Sequence, residues 1–497
     1  MQPRKQALLA AAVLLAWSAS SLAQRRRERA QDPSHSALTQ ILGRPTARSI
    51  ALSVLSPETR ALQLEYGTRA GVYTNKTRPV RVEANQPVEI LVDRLQPDTA
   101  YFYRLNGGPE YTFHTQRAPG STFTFGVQGD SHPERLNRMY HPDLYTRTMN
   151  HVAADRPDFY ITLGDDFNVD QLHNRGMLNA GTVSHLYVHQ RAFLGIAGRT
   201  APLFLVNGNH EQAAKHMLDG TPNSVAVLSG RARNLYYPLP APDGFYTGDS
   251  EPVEFVGLPR DYYAWEWGDA LFVTLDPYWH SPVPIDAGIG GGGGQRGGRE
   301  RKGVRNEGRN RKRDNGDRGR GRRRDGWAAT MGDAQYRWLK KTLETSKAKY
   351  KFVFAHHVLG TGRGAVEVAD LYEWGGRNRN GEWEFDKMRP GWELPVHQLF
   401  VKHKVTIFFQ GHDHLFARQE KDGVIYQETP NPADSTYTAF NREAYRTGDI
   451  LPNSGYLRVT VSADEAKVDY VRSYLEKDET PEHPNGEVAF SYTVRPR

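Results

Sequence analysis

The spacing of apolar positions along this chain changes once, near residue 120. Before it, residues 49–54 and 88–92 carry β-type patterns bounded by Pro and Gly turns. They predict a small all-β sandwich over residues 44–116. After it, short apolar runs at residues 123–128, 158–163, 203–206, 352–355 and 405–409 are separated by longer polar or helical stretches. That alternation predicts an α/β domain over residues 121–475. Helical spacing begins at Asp333, where Tyr336, Leu339 and Leu343 share one face, ahead of a core strand at 351–355. Residues 24–43 read as a polar, Arg-rich lead-in and 476–497 as a C-terminal extension.

Composition changes this picture in three places. Residues 286–326 hold 14 Gly and 14 Lys/Arg in 41 positions, with no aromatic residue, so they cannot bury a core. Helix and strand patterns resume beyond them, which makes them a disordered insert within the second domain. Their 14 Lys/Arg against 6 Asp/Glu give a net +8, more than the whole chain's +7. The rest of the chain after residue 23 sums to about −3, so the basicity belongs to one segment. Lacking aromatic residues for base stacking, the insert is expected to make at most weak contact with anionic surfaces. Nucleic acid is not an expected partner.

The N-terminus has the pattern of an export signal over residues 1–23: Arg4 and Lys5, an apolar stretch at 7–17, then Ser21-Leu22-Ala23. A product exported to the periplasm or the extracellular space after cleavage near Ala23 is expected. No later stretch approaches the roughly 20 apolar residues that cross a bilayer. The chain has no cysteine, which excludes thiolate metal sites, cysteine nucleophiles and disulfides. Any metal would be held by His, Asp, Glu or Asn.

Those ligands are present at the ends of the five apolar runs. The first leads into Gly129-Asp130-Ser131-His132, the second into Gly164-Asp165-Asp166, the third into Asn207-Gly208-Asn209-His210-Glu211, the fourth into His356-His357, and the fifth into Gln410-Gly411-His412-Asp413-His414. Open α/β sheets place their sites at the carboxyl ends of strands, so the five loops can converge on one point. Carboxylates, imidazoles and one amide oxygen suit two hard-to-borderline cations. Two such cations roughly 3.5–4 Å apart lower the pKa of a water between them and clamp phosphoryl oxygens.

Asp-x-His, Gly-Asp, Gly-Asn-His-Glu, His and Gly-His-x-His, in that order over residues 130 to 414, resemble the signature of the calcineurin-like metallophosphoesterases. Tyr262-Tyr263-Ala264-Trp265-Glu266-Trp267-Gly268, followed by a strand ending at Asp276, resembles the family's mid-domain hairpin. The resemblance implies a domain of two mixed β-sheets flanked by helices. It implies one metal on Asp130, His132, Asp165 and His414, and a second on Asp165, Asn209, His356 and His412. Asp165 would bridge them, with His356 preferred over His357 because it comes directly off the strand. It further implies that His210 stabilises phosphate and protonates the leaving oxygen, that a metal-bound hydroxide is the nucleophile, and that no covalent phospho-enzyme forms.

The run Leu95-Gln96-Pro97-Asp98-Thr99-Ala100-Tyr101-Phe102-Tyr103 resembles the corner of a fibronectin type III sandwich, where a tyrosine hydroxyl pins the turn. A sandwich ahead of the catalytic domain is similar to the layout of purple acid phosphatases. Those enzymes use a metal-ligating tyrosine three positions after the Gly-Asp carboxylate. Here that position is Asn168, and the first block ends in His132. An imidazole is therefore expected in place of tyrosinate, and the two divalent or mixed-valence ions could be Mn, Fe or Zn.

The function expected from this resemblance is an exported, acid-phosphatase-like phosphomonoesterase acting on a small-molecule phosphoester. A phosphodiesterase or nucleotide hydrolase would use the same site. A non-catalytic surface-binding protein would rely on the sandwich and the basic insert instead. Asp166 and Asp413 read as solvated loop carboxylates, Glu211 as a group orienting a ligand, and Arg363 as a weak candidate for phosphate contact. Substrate choice is expected in the loops at 212–261 and 360–395.

Overall fold

The computed structural model describes residues 37–211, 213–285, 325–358 and 362–497. The export signal at 1–23, most of the lead-in and nearly all of the insert at 286–326 lie outside the described residues.

Residues 39–114 form a β-rich region. Strands Thr39–Gly43, Ile50–Leu55 and Val88–Val92 make one antiparallel sheet. Strands Asn75–Lys76, Leu64–Gly67, Ala100–Leu105 and Tyr111–His114 make another. Leu52 and Val54 from the first sheet and Tyr103, Leu105 and Phe113 from the second share one buried core. At the corner before Ala100–Leu105, the backbone N–H of Gln96 donates to the Tyr101 hydroxyl at 2.8 Å. The first strand begins inside what reads as a polar lead-in, for a definite reason. Ile41 packs into the core of the following domain and Leu42 into that of the β-rich region. Its alternation serves two cores at once, which two apolar residues among polar neighbours do not reveal.

The larger domain is built of four layers. Its six-stranded sheet runs in the order Leu203–Leu205, Phe159–Thr162, Phe123–Gln128, Gly455–Val461, Ala466–Arg472, Val488–Val494, the first three strands being parallel. The last strand corrects the expected boundary: residues counted as a C-terminal extension supply the edge of this sheet, with Phe490 and Tyr492 packed on its core. An eight-stranded sheet has Ala270–Thr274, Tyr350–Phe354, Ile407–Gln410 and Val424–Glu428 as parallel neighbours at its centre. Tyr263–Trp267 pairs antiparallel with Ala270–Thr274, as the hairpin motif predicts.

Aromatic side chains hold the two sheets face to face. Phe125 and Phe159 from one meet Phe272 of the other edge-on, at 5.1 and 5.0 Å between ring centres. Helices Pro142–Asp155, Ala180–Gly198 and Val225–Tyr236 cover the six-stranded sheet. Helix Gly332–Thr345 covers the other through Tyr336, Leu339 and Leu343, the face read from their spacing. Ile285 and Trp327, on either side of the undescribed segment, pack into the same core. The chain therefore leaves and re-enters one domain there. Among the described residues no helix is long and apolar enough to cross a membrane.

Candidate metal centre

All five ligand-bearing loops sit at the carboxyl ends of parallel strands, two blocks of ligands from one sheet facing two from the other, with Asn209 and His210 completing the rim. Tight backbone geometry aims them. His132, Asp165 and His414 are all in the left-handed region, at φ 49, 55 and 54°, which turns the chain sharply at each ligand. Gly208 is required by proximity: a Cβ there would lie 2.3 Å from Asp165 Oδ1. Glu211 fixes the same loop by accepting the backbone N–H groups of Asp165, Asp166, Phe167 and Gly208. Its buried carboxyl is pushed up to about 8 by burial and by neighbouring Asp165 and Asp166.

Two groups of ligand atoms result. In the first, His132 Nε2 and His414 Nε2 lie 2.9 Å apart, with Asp130 Oδ2 at 3.4 and 2.8 Å from them respectively. Asp165 Oδ2 is 3.8 Å from His132 Nε2. In the second, His356 Nε2 has His412 Nδ1 at 2.9 Å, Asn209 Oδ1 at 3.0 Å and Asp165 Oδ2 at 3.3 Å. One oxygen of Asp165 thus faces both groups. The structure brings together all seven residues singled out in the sequence as ligands. His357 does not join either group; its Nδ1 meets the Tyr278 hydroxyl at 3.1 Å.

The electrostatics suit cations. Burial holds His132, His412 and His414 well below the usual imidazole range, so their ring nitrogens offer lone pairs. Burial and the adjacent Asp165 and Asp166 carboxylates push Asp130 well above its usual value, and its Oδ1 is buried with no hydrogen-bond partner among the described residues. Burial opposes ionisation of Asp165 too, but His356 and His210 beside it outweigh that and hold it ionised. Neutral imidazoles around carboxylates with an unsatisfied oxygen form a donor set that a divalent cation completes. The residues therefore fit metal ions.

His210 sits at the edge of this cluster, its Nε2 3.8 Å from Asp165 Oδ2 and its Nδ1 3.0 Å from Asp170 Oδ2. Burial disfavours its charge, but Asp165 and Asp170 outweigh burial and raise it to about 10. Two orienting groups went unread in the sequence. Asp170 is one; the other is Glu134, whose Oε1 lies 2.8 Å from His132 Nδ1. A carboxylate two residues past a ligand histidine, in a tight turn, could have signalled Glu134; nothing marked Asp170. The carbonyl of Leu163 plays the same part for His356 Nδ1, at 2.8 Å.

Two expectations are corrected. Asp166 is buried, accepting hydrogen bonds from the Ser131 hydroxyl at 2.6 Å and from Gln128 Nε2 at 3.1 Å. Asp413 is buried as well, held by Arg363 Nη1 at 2.8 Å, the Gly364 N–H at 2.9 Å and the Tyr445 hydroxyl at 2.7 Å. Neither is a solvated loop carboxylate; both brace the ligand loops. Arg363 also donates to the His412 carbonyl at 2.8 Å, so its guanidinium is engaged at the rim.

A family model described as calcineurin-like phosphoesterase matches residues 123–416, more than half of the chain. No curated protein matches the sequence significantly. Among solved structures, PhoD is similar over 92% of this chain and 88% of its own, with 14% identity and a TM-score of 0.55. GAP50, the anchor in the inner membrane complex of Plasmodium, is a fainter likeness: 10% identity, 76% of this chain, 89% of its own and a TM-score of 0.37. The likeness to PhoD concerns the fold. The family match rests on the strands and loops that carry the metal centre, and by it the chain belongs to the calcineurin-like phosphoesterases.

Proposed function

We propose that this metal-dependent phosphoester hydrolase works with two metal ions, is exported, and acts on phosphomonoesters. The observation that carries the dinuclear reading is the position of Asp165 Oδ2, within 3.8 Å of His132 Nε2 and 3.3 Å of His356 Nε2. Asp130, His132, Asp165 and His414 would hold one ion, and Asp165, Asn209, His356 and His412 the other. Oxygen and nitrogen donors without sulfur suit Mn, Fe or Zn. When bound, two such ions lower the pKa of a water between them and neutralise phosphoryl oxygens.

The chain's own residues supply the rest. Glu134 and the Leu163 carbonyl set the ring orientations of His132 and His356, so that the metal-facing nitrogens keep their lone pairs. Ser131 is buried, its hydroxyl donating to Asp166 and accepting from Gln190 Nε2, which ties it to the loop that carries Asp165. Water as the attacking group, with no phospho-enzyme, is what the resemblance to the family implies, and the absence of cysteine removes one competing nucleophile. Asp170 orients His210 and favours its protonated form, and the free edge of that ring faces the site. His210 is therefore the group that steadies the phosphoryl oxygens and gives a proton to the leaving oxygen.

Metal content and hydrolysis of an aryl phosphate, before and after chelation, test this reading. About two metals per chain, with activity lost on chelation and restored by Mn, Fe or Zn, is the expected result. A folded protein that takes up no metal and hydrolyses nothing would overturn it. Aryl monoesters should be cleaved faster than bis-aryl diesters. Export, argued from Arg4, Lys5 and the apolar stretch at 7–17, predicts a mature N-terminus near residue 24 by peptide sequencing.

A further inference from the structure

Beside the metal centre lies a cavity of about 770 Å³, far more than a phosphate group needs and within the range of pockets that hold small organic ligands. Among the described residues, none of its walls comes from the loops at 212–261 or 360–395, where the sequence places substrate choice. It adjoins the metal centre at three points. Phe440 stacks on the His414 ring, with centres 5.9 Å apart and planes at 22°. Glu134 contacts His132 Nδ1. Gln171 follows Asp170, the partner of His210.

The walls have two kinds of chemistry. Arg135, Arg138 and Arg175 contribute three positive charges against one carboxylate, Glu134, which is already engaged by His132 Nδ1 and by Arg135 Nε at 3.2 Å. Beside them stand Leu136 and Phe440, 55% and 50% exposed despite their size. Guanidinium groups match phosphate or carboxylate oxygens, and an accessible aromatic face takes a flat ring. Position assigns the role. Gln171 in its wall follows Asp170, the partner of His210, so the cavity lies next to the group proposed to protonate the leaving oxygen and is placed to receive the part of the substrate that departs.

We propose that this cavity is a leaving-group subsite, selecting a phosphomonoester whose leaving group carries a second anionic group beside a flat ring. The inference rests on the phosphomonoesterase reading above and goes beyond it by naming the substrate class. Arg138 and Arg175, both exposed, engage the second anion, and Phe440 takes the ring.

The test compares kcat/KM of the metal-loaded protein on four phosphates. Phenyl phosphate offers a bare ring, adenosine 5′-monophosphate a nucleoside leaving group, fructose 1,6-bisphosphate an anion without a flat ring, and adenosine 3′,5′-bisphosphate both features. The last should be the best substrate. In the double variant Arg138→Gln/Arg175→Gln, its advantage over phenyl phosphate should fall about tenfold or more, as expected on losing charge-assisted hydrogen bonds. In Phe440→Ala, the ratio of adenosine 3′,5′-bisphosphate to fructose 1,6-bisphosphate should fall. Calorimetric binding of adenosine 5′-monophosphate to the metal-free protein, where no turnover occurs, should weaken in the same variants. Substrate ratios and binding that are the same in wild type and variants would overturn the subsite while leaving phosphomonoester hydrolysis standing. A metal-loaded wild type that cleaves none of the four would overturn both.

Discussion

At the scale of single residues, the metal centre depends on groups that never touch an ion. Glu134 fixes the ring of His132 from the side away from the cluster. Glu134→Gln should weaken metal binding about 10–100-fold, the usual cost of losing such a partner, read by titration of the metal-free protein; an unchanged affinity would remove Glu134 from the design. A second buried cluster gives a pH signature. His280 Nε2 lies 2.8 Å from Asp261 Oδ2 and 3.8 Å from Asp249 Oδ2. Burial opposes its charge, but Asp261, Asp276 and Asp249 outweigh burial and raise its pKa above 6.5. A raised folded pKa adds stability that is complete below the unfolded value and lost as pH rises through the folded one. His280→Gln should thus cost about 1.5 kcal/mol at pH 6, with the gap to wild type closing at alkaline pH. Urea midpoints at pH 6 and pH 9 decide it, and equal gaps would dismiss the ion pair.

Strands and loops are the scale at which most of the site was legible in the sequence. Asp130, Asp165, Asn209, His356 and His412 each follow an apolar run by a few residues, and a strand end is where such a run must stop. What could not be read is how two sheets face each other to bring Asp130 and Asp165 against His356 and His412. That alignment rests on side chains such as Phe272, which meets Phe125 and Phe159 across the interface. Phe272→Ala should destabilise the protein by about 3–5 kcal/mol and also lower metal affinity, because the two halves of the ligand set lose their common register. A destabilised variant with wild-type metal affinity would show that the loops hold the site by themselves.

At the scale of the whole molecule, the β-rich region and the catalytic domain are joined by a buried cation. Arg191, fully buried on helix Ala180–Gly198, donates to the Thr39 and Ser53 hydroxyls and the Ser53 carbonyl, each at 3.0 Å, and to the Tyr236 carbonyl. Burial lowers its pKa to about 10, and no carboxylate is among these partners. Arg191→Ala leaves several acceptors unpaired and should cost about 3 kcal/mol. Urea unfolding should then resolve separate transitions for the two parts; a single transition at the wild-type midpoint would mean the junction does not depend on this residue. The sequence by itself determined the two classes of architecture, the ligand blocks and the family they resemble, because those are written in local periodicity and short spacing. The burial of Asp166 and Asp413, the partners Glu134 and Asp170, the strand Thr39–Gly43 shared between two cores and the arginine-lined cavity were decided only by the tertiary structure. Each depends on contacts between segments far apart in the chain, and the free energy of burying a charge or a ring is set by its neighbours in space, which no local pattern of residues records.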